Sequence, residues 1–343
     1  PLGEYLESLG TTLHNGYQVT GDRKDARHMW HLPDLRGHDL DFFIDTDLLE
    51  KFCLPHLHRP REAGIYRAPL LVVHESMVVD GLRPRSGLAT EDLAYDERFD
   101  GIPFADVEDG GRVAAYVQLV LQSSLTTHLL LMLDGQFGVE REVVHLETLK
   151  ALPIVPWHTL AISERKMAVR LSGRLRRGLD TALQEEIDVF AARLHGLCDV
   201  QRDAVFDTLS TSLTTKDART RALRRTTATE RNDLAETCQI GLQDVLSATE
   251  LTAWVRTRDD LSRPEVPWHF IQVDCVPQGK GARRPVPLPL DPFVRAADAG
   301  AASLIILRTG KGTTLVGILD RFRHWTRTKA RLLASTLLAE EEP

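Results

Sequence analysis

Cysteine is scarce, with Cys53, Cys198, Cys238 and Cys275 scattered through 343 residues and no CxxC pair among them. That pattern excludes a metal finger or a disulfide scaffold and fits a reducing compartment, so a cytoplasmic location is expected. There is no apolar stretch of membrane-spanning length and no signal-like segment after Pro1, so no membrane partner is expected. Because the first residue is Pro1 rather than Met, a fragment or a processed chain is expected. No internal repeat is visible.

The familiar catalytic signatures are missing as well. Gly310-Lys311-Gly312-Thr313-Thr314 has the wrong spacing for a phosphate-binding loop and joins two expected strands. No GxGxxG follows a strand, and neither GxSxG nor HExxH occurs, which leaves dinucleotide dehydrogenases and ordinary serine hydrolases unsupported. Cys53, His56 and His58 lie close together without a fourth ligand, so they read as a His-rich turn with a buried Cys and no metal is assigned. His14, His28, His31 and His38 read as ordinary polar residues in a loop-rich region. Pro33-Asp34 is followed by Glu50-Lys51 rather than an acid-x-Lys pair, and Glu164-Arg165-Lys166 falls on an expected helix; nuclease chemistry is not assigned.

What is present is the composition of a folded globular protein, 43% hydrophobic and 27% charged. The length allows two or three domains. Forty-two Lys and Arg stand against 49 Asp and Glu, a net charge of −7, which argues against a uniform positive field around nucleic acid. The deficit is local: residues 80–109 hold nine acidic side chains against Arg83, Arg85 and Arg98.

Periodicity predicts an α+β chain in three segments. Over 1–158 a mixed-sheet domain is expected, with Ala68–His74 as a buried, central strand and one helix over Arg112–Met132 closing at Gly135. Pro153 and Pro156 prevent a continuous helix before a boundary near 158. Over 159–262 a helical spacer or bundle is expected. Its first helix is capped by Ser163, carries a stripe from Met167 to Leu194 and ends at Gly196. Two more run over Asp199–Leu213 and Thr229–Leu246, and Ser247 with Glu250 form a capping-box signature ahead of Leu251, Trp254 and Val255. From 263 to 343, beyond Arg263-Pro264, a small α+β unit is expected. It has strands at Trp268–Val276, Ser303–Thr309 and Thr313–Leu319, then a helix from near Trp325 that ends in the frayed Glu340-Glu341-Glu342 tail.

Several stretches, in order, resemble the target recognition region of bacterial adenine-specific DNA methyltransferases of restriction-modification systems, the type I-like and type IIG group. Gly16-Tyr17-Gln18-Val19-Thr20-Gly21-Asp22 is similar to the opening of that region, and Tyr66–Ser76 is similar to its "P-x-L-L" strand. Leu119–Leu125 resembles an "L-N-S" helix, with Gln122 where Asn is usual, and Gly138-Val139-Glu140-Arg141 resembles a "W-G-x-E-R" turn. Leu152-Pro153-Ile154 and Glu185–Leu197 complete the series, with His195 in place of Tyr. The resemblance covers roughly residues 10–215.

It implies a module that binds duplex DNA and positions it for methyl transfer. Catalysis in that family needs an (N/D)-P-P-(Y/F) loop and a Gly-containing cofactor turn. No two prolines are adjacent here, so no catalytic residue and no cofactor are assigned to this chain. S-adenosylmethionine is implied only for a catalytic domain lying in cis or on a partner subunit.

Asn15, Gln18, Arg23, Lys24 and Arg27 are candidate DNA contacts in the first segment, or else a solvated polar loop. Residues 219–231 hold five arginines, among them Arg221, Arg224 and Arg225, against Glu230 alone. They fit a phosphate track or a solvated basic connection. Arg321, Arg323 and Arg327 surround Trp325, which either stacks a base or anchors the last helix. A protein-interaction module of a phage-defence complex, without direct DNA contact, is the alternative that the net negative charge favours.

Overall fold

The computed structural model describes the chain apart from residues 22, 38–39, 78–82, 135–142, 213–215, 262–265, 286–290, 310–311 and 340–343. Asp22, Gly135, Gly138-Val139-Glu140-Arg141, Leu213, Arg263-Pro264, Gly310-Lys311 and the Glu340-Glu341-Glu342 tail therefore lie wholly or in part outside the described residues. The fold is α+β and divides into two compact units, Pro1–Cys198 and Asp199–Pro343.

In the first unit the strands are β1 (His14–Asn15), β2 (Lys24–Asp25), β3 (Asp34–Leu35), β4 (His56–Leu57), β5 (Leu70–Met77), β6 (Pro84–Ala89), β7 (Ala94–Tyr95) and β8 (Phe99–Pro103). The helices are α1 (Leu2–Ser8), α2 (Gly110–Leu121), α3 (Ser124–Leu133), α4 (Leu146–Ala151), α5 (Ile162–Leu175) and α6 (Thr181–Leu194). The main sheet is antiparallel in the order β1-β8-β5-β6. Among the described residues, parallel pairing is confined to β3 with β7 and to single bridges such as Tyr17 to Asp96.

Central β5 is apolar on both sides because alternate residues enter different cores. Leu71 and Val73 join α2, α5 and α6, whereas Leu70 and Val72 join Tyr17, Phe52, Tyr66 and Tyr95. Two buried amides dock α2 on this sheet: Gln118 Nε2 donates to Phe42 O (2.7 Å), and Gln122 Nε2 donates to Pro84 O (2.7 Å) and Ser86 Oγ (2.9 Å).

Two expected long helices are each broken. The one over Arg112–Met132 bends by 67° between α2 and α3, because Gln122 is held by β6 and Ser123 Oγ caps α3 at Thr126 N. The one over Met167–Leu194 splits between α5 and α6, where Gly178 takes φ +126° and Asp180 caps α6 at Leu183 N. Its start is closed by the Glu164 carboxylate accepting from Ala161 N (2.9 Å), not by Ser163.

These helices share the first unit's core through Leu171, Leu175, Leu183, Ile187 and Phe190. The chain accordingly divides at 198, unlike the sequence-drawn boundaries at 158 and 262, and the helices of the expected spacer are distributed over both units. Among the described residues no single helix is long and apolar enough to cross a membrane.

The second unit contains α7 (Asp199–Thr211), α8 (Lys216–Leu223), α9 (Ala228–Leu246), β9 (Leu251–Thr257), β10 (Trp268–Pro277), α10 (Asp291–Ala299), β11 (Leu304–Arg308), β12 (Thr313–Leu319) and α11 (Arg327–Ala339). Its sheet is antiparallel, in the order β11-β12-β10-β9. Leu234, Cys238 and Leu242 of α9, with Leu333 and Ala334 of α11, cover one face over Ile271, Val273 and Val316. Trp268, Phe270 and Leu315 meet Val294 and Ala297 of α10 on the other.

The segment after Ser247 is a strand, β9, rather than the expected helix. Its Thr, Trp and Val content suits a pleated surface, and α9 supplies what an edge strand lacks. Gln243 Oε1 accepts from Ala253 N (3.0 Å), and Gln239 Oε1 accepts from Val255 N (2.9 Å).

Candidate nucleic-acid interface

The first-unit candidates are held by a turn at the end of β1. Gly16 packs against the β7–β8 backbone so closely that a Cβ there would meet Asp96 O at 2.2 Å, which accounts for the glycine that opens the resembling motif. Tyr17 is buried, edge-on to Phe52 at 5.3 Å, and donates to Asp34 Oδ1 (2.8 Å). Asn15 is occupied internally. Its amide donates to Glu97 O (2.8 Å), and its Oδ1 accepts from Arg61 Nη2 (3.3 Å). Gln18 bridges to Arg59 through the backbone, and Arg27 forms a two-point ion pair with Asp25 (2.7 Å at the shortest).

Arg23 and Lys24 are exposed, as is Arg59. Arg59 went unrecognised in the sequence because it reaches this loop only through β2–β4 pairing, forty residues' worth of chain being folded between them. Cys53, expected to be buried, is instead exposed, as is His56, and His58 is half-buried. Among the described residues no three His, Cys, Asp or Glu side chains form a group able to hold a metal ion.

In the second unit, two basic clusters that are about a hundred positions apart in sequence come together. Phe322 N donates to Arg224 O (2.9 Å), and the Arg224 guanidinium lies over the Phe322 ring at 4.4 Å while pairing with Glu230. Asp320, at the end of β12, accepts from Thr226 N (2.9 Å) and Thr226 Oγ1 (2.8 Å) and faces Arg225 Nε at 3.8 Å. The turn after α8 is thereby tied to the turn before α11.

Some cations at this junction are neutralised. Arg327 and Arg331 both face Asp203 of α7, at 3.6 and 2.5 Å, and Arg231 faces Asp259 at 3.6 Å. Arg321 donates to Asp320 O (3.0 Å). Arg221, Arg323 and Lys329 have no ion pair among the described residues, and Arg221 and Lys329 are exposed. The surplus is felt by His324: burial lowers its pKa, and Arg323, Lys329 and Arg321 push it further, to about 4.

Trp325 is buried at 2% exposure and donates its indole N–H to Leu319 O (2.9 Å). It anchors α11, and the base-stacking alternative falls away.

Two of the resembling motifs meet in the first unit. Asp188, in the Glu185–Leu197 stretch, accepts from Ser124 N and Ser124 Oγ, both at 2.7 Å, and Gln184 Nε2 donates to Gln122 O (3.0 Å). These contacts fasten α6 to the α2–α3 junction and are structural. Comparison with protein-family models and with curated proteins finds no match to this chain.

Proposed function

We propose that this chain is the DNA target recognition part of a bacterial adenine-specific DNA methyltransferase or restriction-modification enzyme, where it binds duplex DNA and positions it for methyl transfer by a catalytic domain outside this sequence. The ordered motif resemblance supplies the family and the chemistry. The observation that carries DNA binding is the junction of the 219–231 and 321–331 clusters. It ties together the turns that carry the two clusters, and Arg221, Arg323 and Lys329 there have no ion pair among the described residues, the kind of local charge that phosphate contact uses in a chain whose total is −7.

Binding of the whole chain to a random-sequence duplex at low salt, read by fluorescence anisotropy, tests this. Binding that weakens steeply with salt is expected. Replacing Arg23, Lys24 and Arg27 with Ala is expected to weaken it less than replacing the unpaired cations of the second unit, because Arg27 is already neutralised by Asp25. A chain that binds no duplex at any salt would leave the protein-interaction alternative, which the net charge of −7 favours.

A further inference from the structure

We infer that the basic surface of the second unit grips the phosphodiester backbone of a DNA duplex without reading its bases, so that it supplies affinity and register independent of sequence. This deepens the DNA-binding reading above and rests on it. The cations sit on three elements: Arg221 on α8, Arg323 in the turn before α11, and Arg327 with Lys329 in the first turn of α11. The start of α11 meets carboxylates of α7, since Asp207 accepts from Thr328 N (2.8 Å) and Asp203 pairs with Arg327 and Arg331. Arg221, Arg323 and Lys329 have no ion pair among the described residues and are the charges left for an outside anion.

The groups that base reading needs are missing from the same segments. Residues 216–231 and 320–331 contain no Asn or Gln, the side chains whose amides match the adenine edge. The two aromatic rings that sequence places among the arginines are occupied. Trp325 is in the core, and Phe322, 9% exposed, lies under Arg224. Neither of these two rings is left as a stacking platform for an unpaired base. What remains is the positive charge of Arg221, Arg323 and Lys329, and point charge without an amide or an open ring is the chemistry of phosphate contact.

The experiment uses the whole chain and three probes of equal length: an A·T-only duplex, a G·C-rich duplex and a single strand. Changing Arg221, Arg323 and Lys329 together to Ala is expected to weaken both duplexes alike, by roughly tenfold or more at low salt, and to flatten the slope of log affinity against log salt by about 3. The paired change Arg221→Lys with Arg323→Lys is expected to keep affinity, since a phosphate accepts a point charge whereas a guanine edge needs the bidentate guanidinium. An unchanged thermal melt of each variant keeps the readout separate from folding. Loss confined to the G·C-rich duplex, or loss in the Lys variants, overturns the backbone assignment while DNA binding stands. A single strand bound as tightly as duplex overturns it too. If the unaltered chain binds none of the probes, the DNA reading and this inference fall together.

Discussion

Two aspartates with opposite proton preferences show how finely single carboxylates are placed in this chain. Burial works to raise the Asp320 pKa, but the Thr226 N–H and hydroxyl, with His269 and Arg225 beside it, hold it below the usual carboxylate range. Its contribution to stability is therefore present above the unfolded value near about 3.9 and is lost as pH falls through the folded value. Asp320→Asn is expected to destabilise the second unit by about 1–3 kcal/mol at neutral pH, a loss that shrinks on acidification; thermal melts at several pH values check it.

Asp100 is the reverse case. Burial, with Glu75 adding to it, pushes its carboxyl up to about 6 against the pull of the Asn15 amide. The folded chain then holds this proton more tightly than the unfolded chain. The stability that Asp100 contributes is thus full below about pH 4 and is lost as pH rises through about 6. Asp100→Asn, which keeps an acceptor for Asn15, is expected to raise the melting temperature at pH 7.5 and to be nearly neutral at pH 4. A melting temperature that falls at pH 7.5 would contradict this account of the site.

At the scale of elements, β9 depends on α9 for more than packing. Gln239 and Gln243 stand four residues apart on α9, hence on one face, and take the two edge N–H groups of Ala253 and Val255. Changing both to Ala strands those donors against the sheet edge and is expected to cost about 2–4 kcal/mol, more than Gln to Ala on the exposed side of a helix. Urea unfolding of the double variant is the check.

The same pair explains what was and was not legible in the sequence. β5, β10 and the β11–β12 hairpin show in hydrophobic pattern because each residue's burial follows from its own neighbours along the chain. β9 does not, since its edge is completed by side chains of the preceding helix, and the Ser247–Glu250 spacing imitates a helix start. The breaks at Gln122–Ser123 and Gly178–Asp180 were hidden for a related reason. The apolar stripe runs on through both, and only a tertiary hold on Gln122 or a positive φ at Gly178 interrupts it.

At the scale of the whole molecule, the net charge of −7 describes no single surface. Much of the acidic excess is spent inside. Asp34, Asp96 and Asp100 are buried in the first unit, and Asp207, Asp274 and Asp320 in the second. Asp274, for example, accepts from Gln272, Thr313 and Arg283 N beneath the loop that follows β10. The basic clusters were each visible in the sequence, but their junction was not, because it is made by Asp320 reaching Thr226 and by Phe322 N reaching Arg224 across the fold.

Candidate contacts read one residue at a time fared unevenly for the same reason. Asn15, Arg27 and Arg224 look free in sequence and are engaged by Glu97, Asp25 and Glu230 in the fold. The central claim, that this acidic chain binds DNA through a local basic surface, is tested most directly by titrating salt against the affinity of the unaltered chain for a random-sequence duplex. The account predicts a linear fall of log affinity with log salt, with a slope of about −3 set by Arg221, Arg323 and Lys329 of the second unit. A slope near zero, or no binding even at the lowest salt, would contradict it.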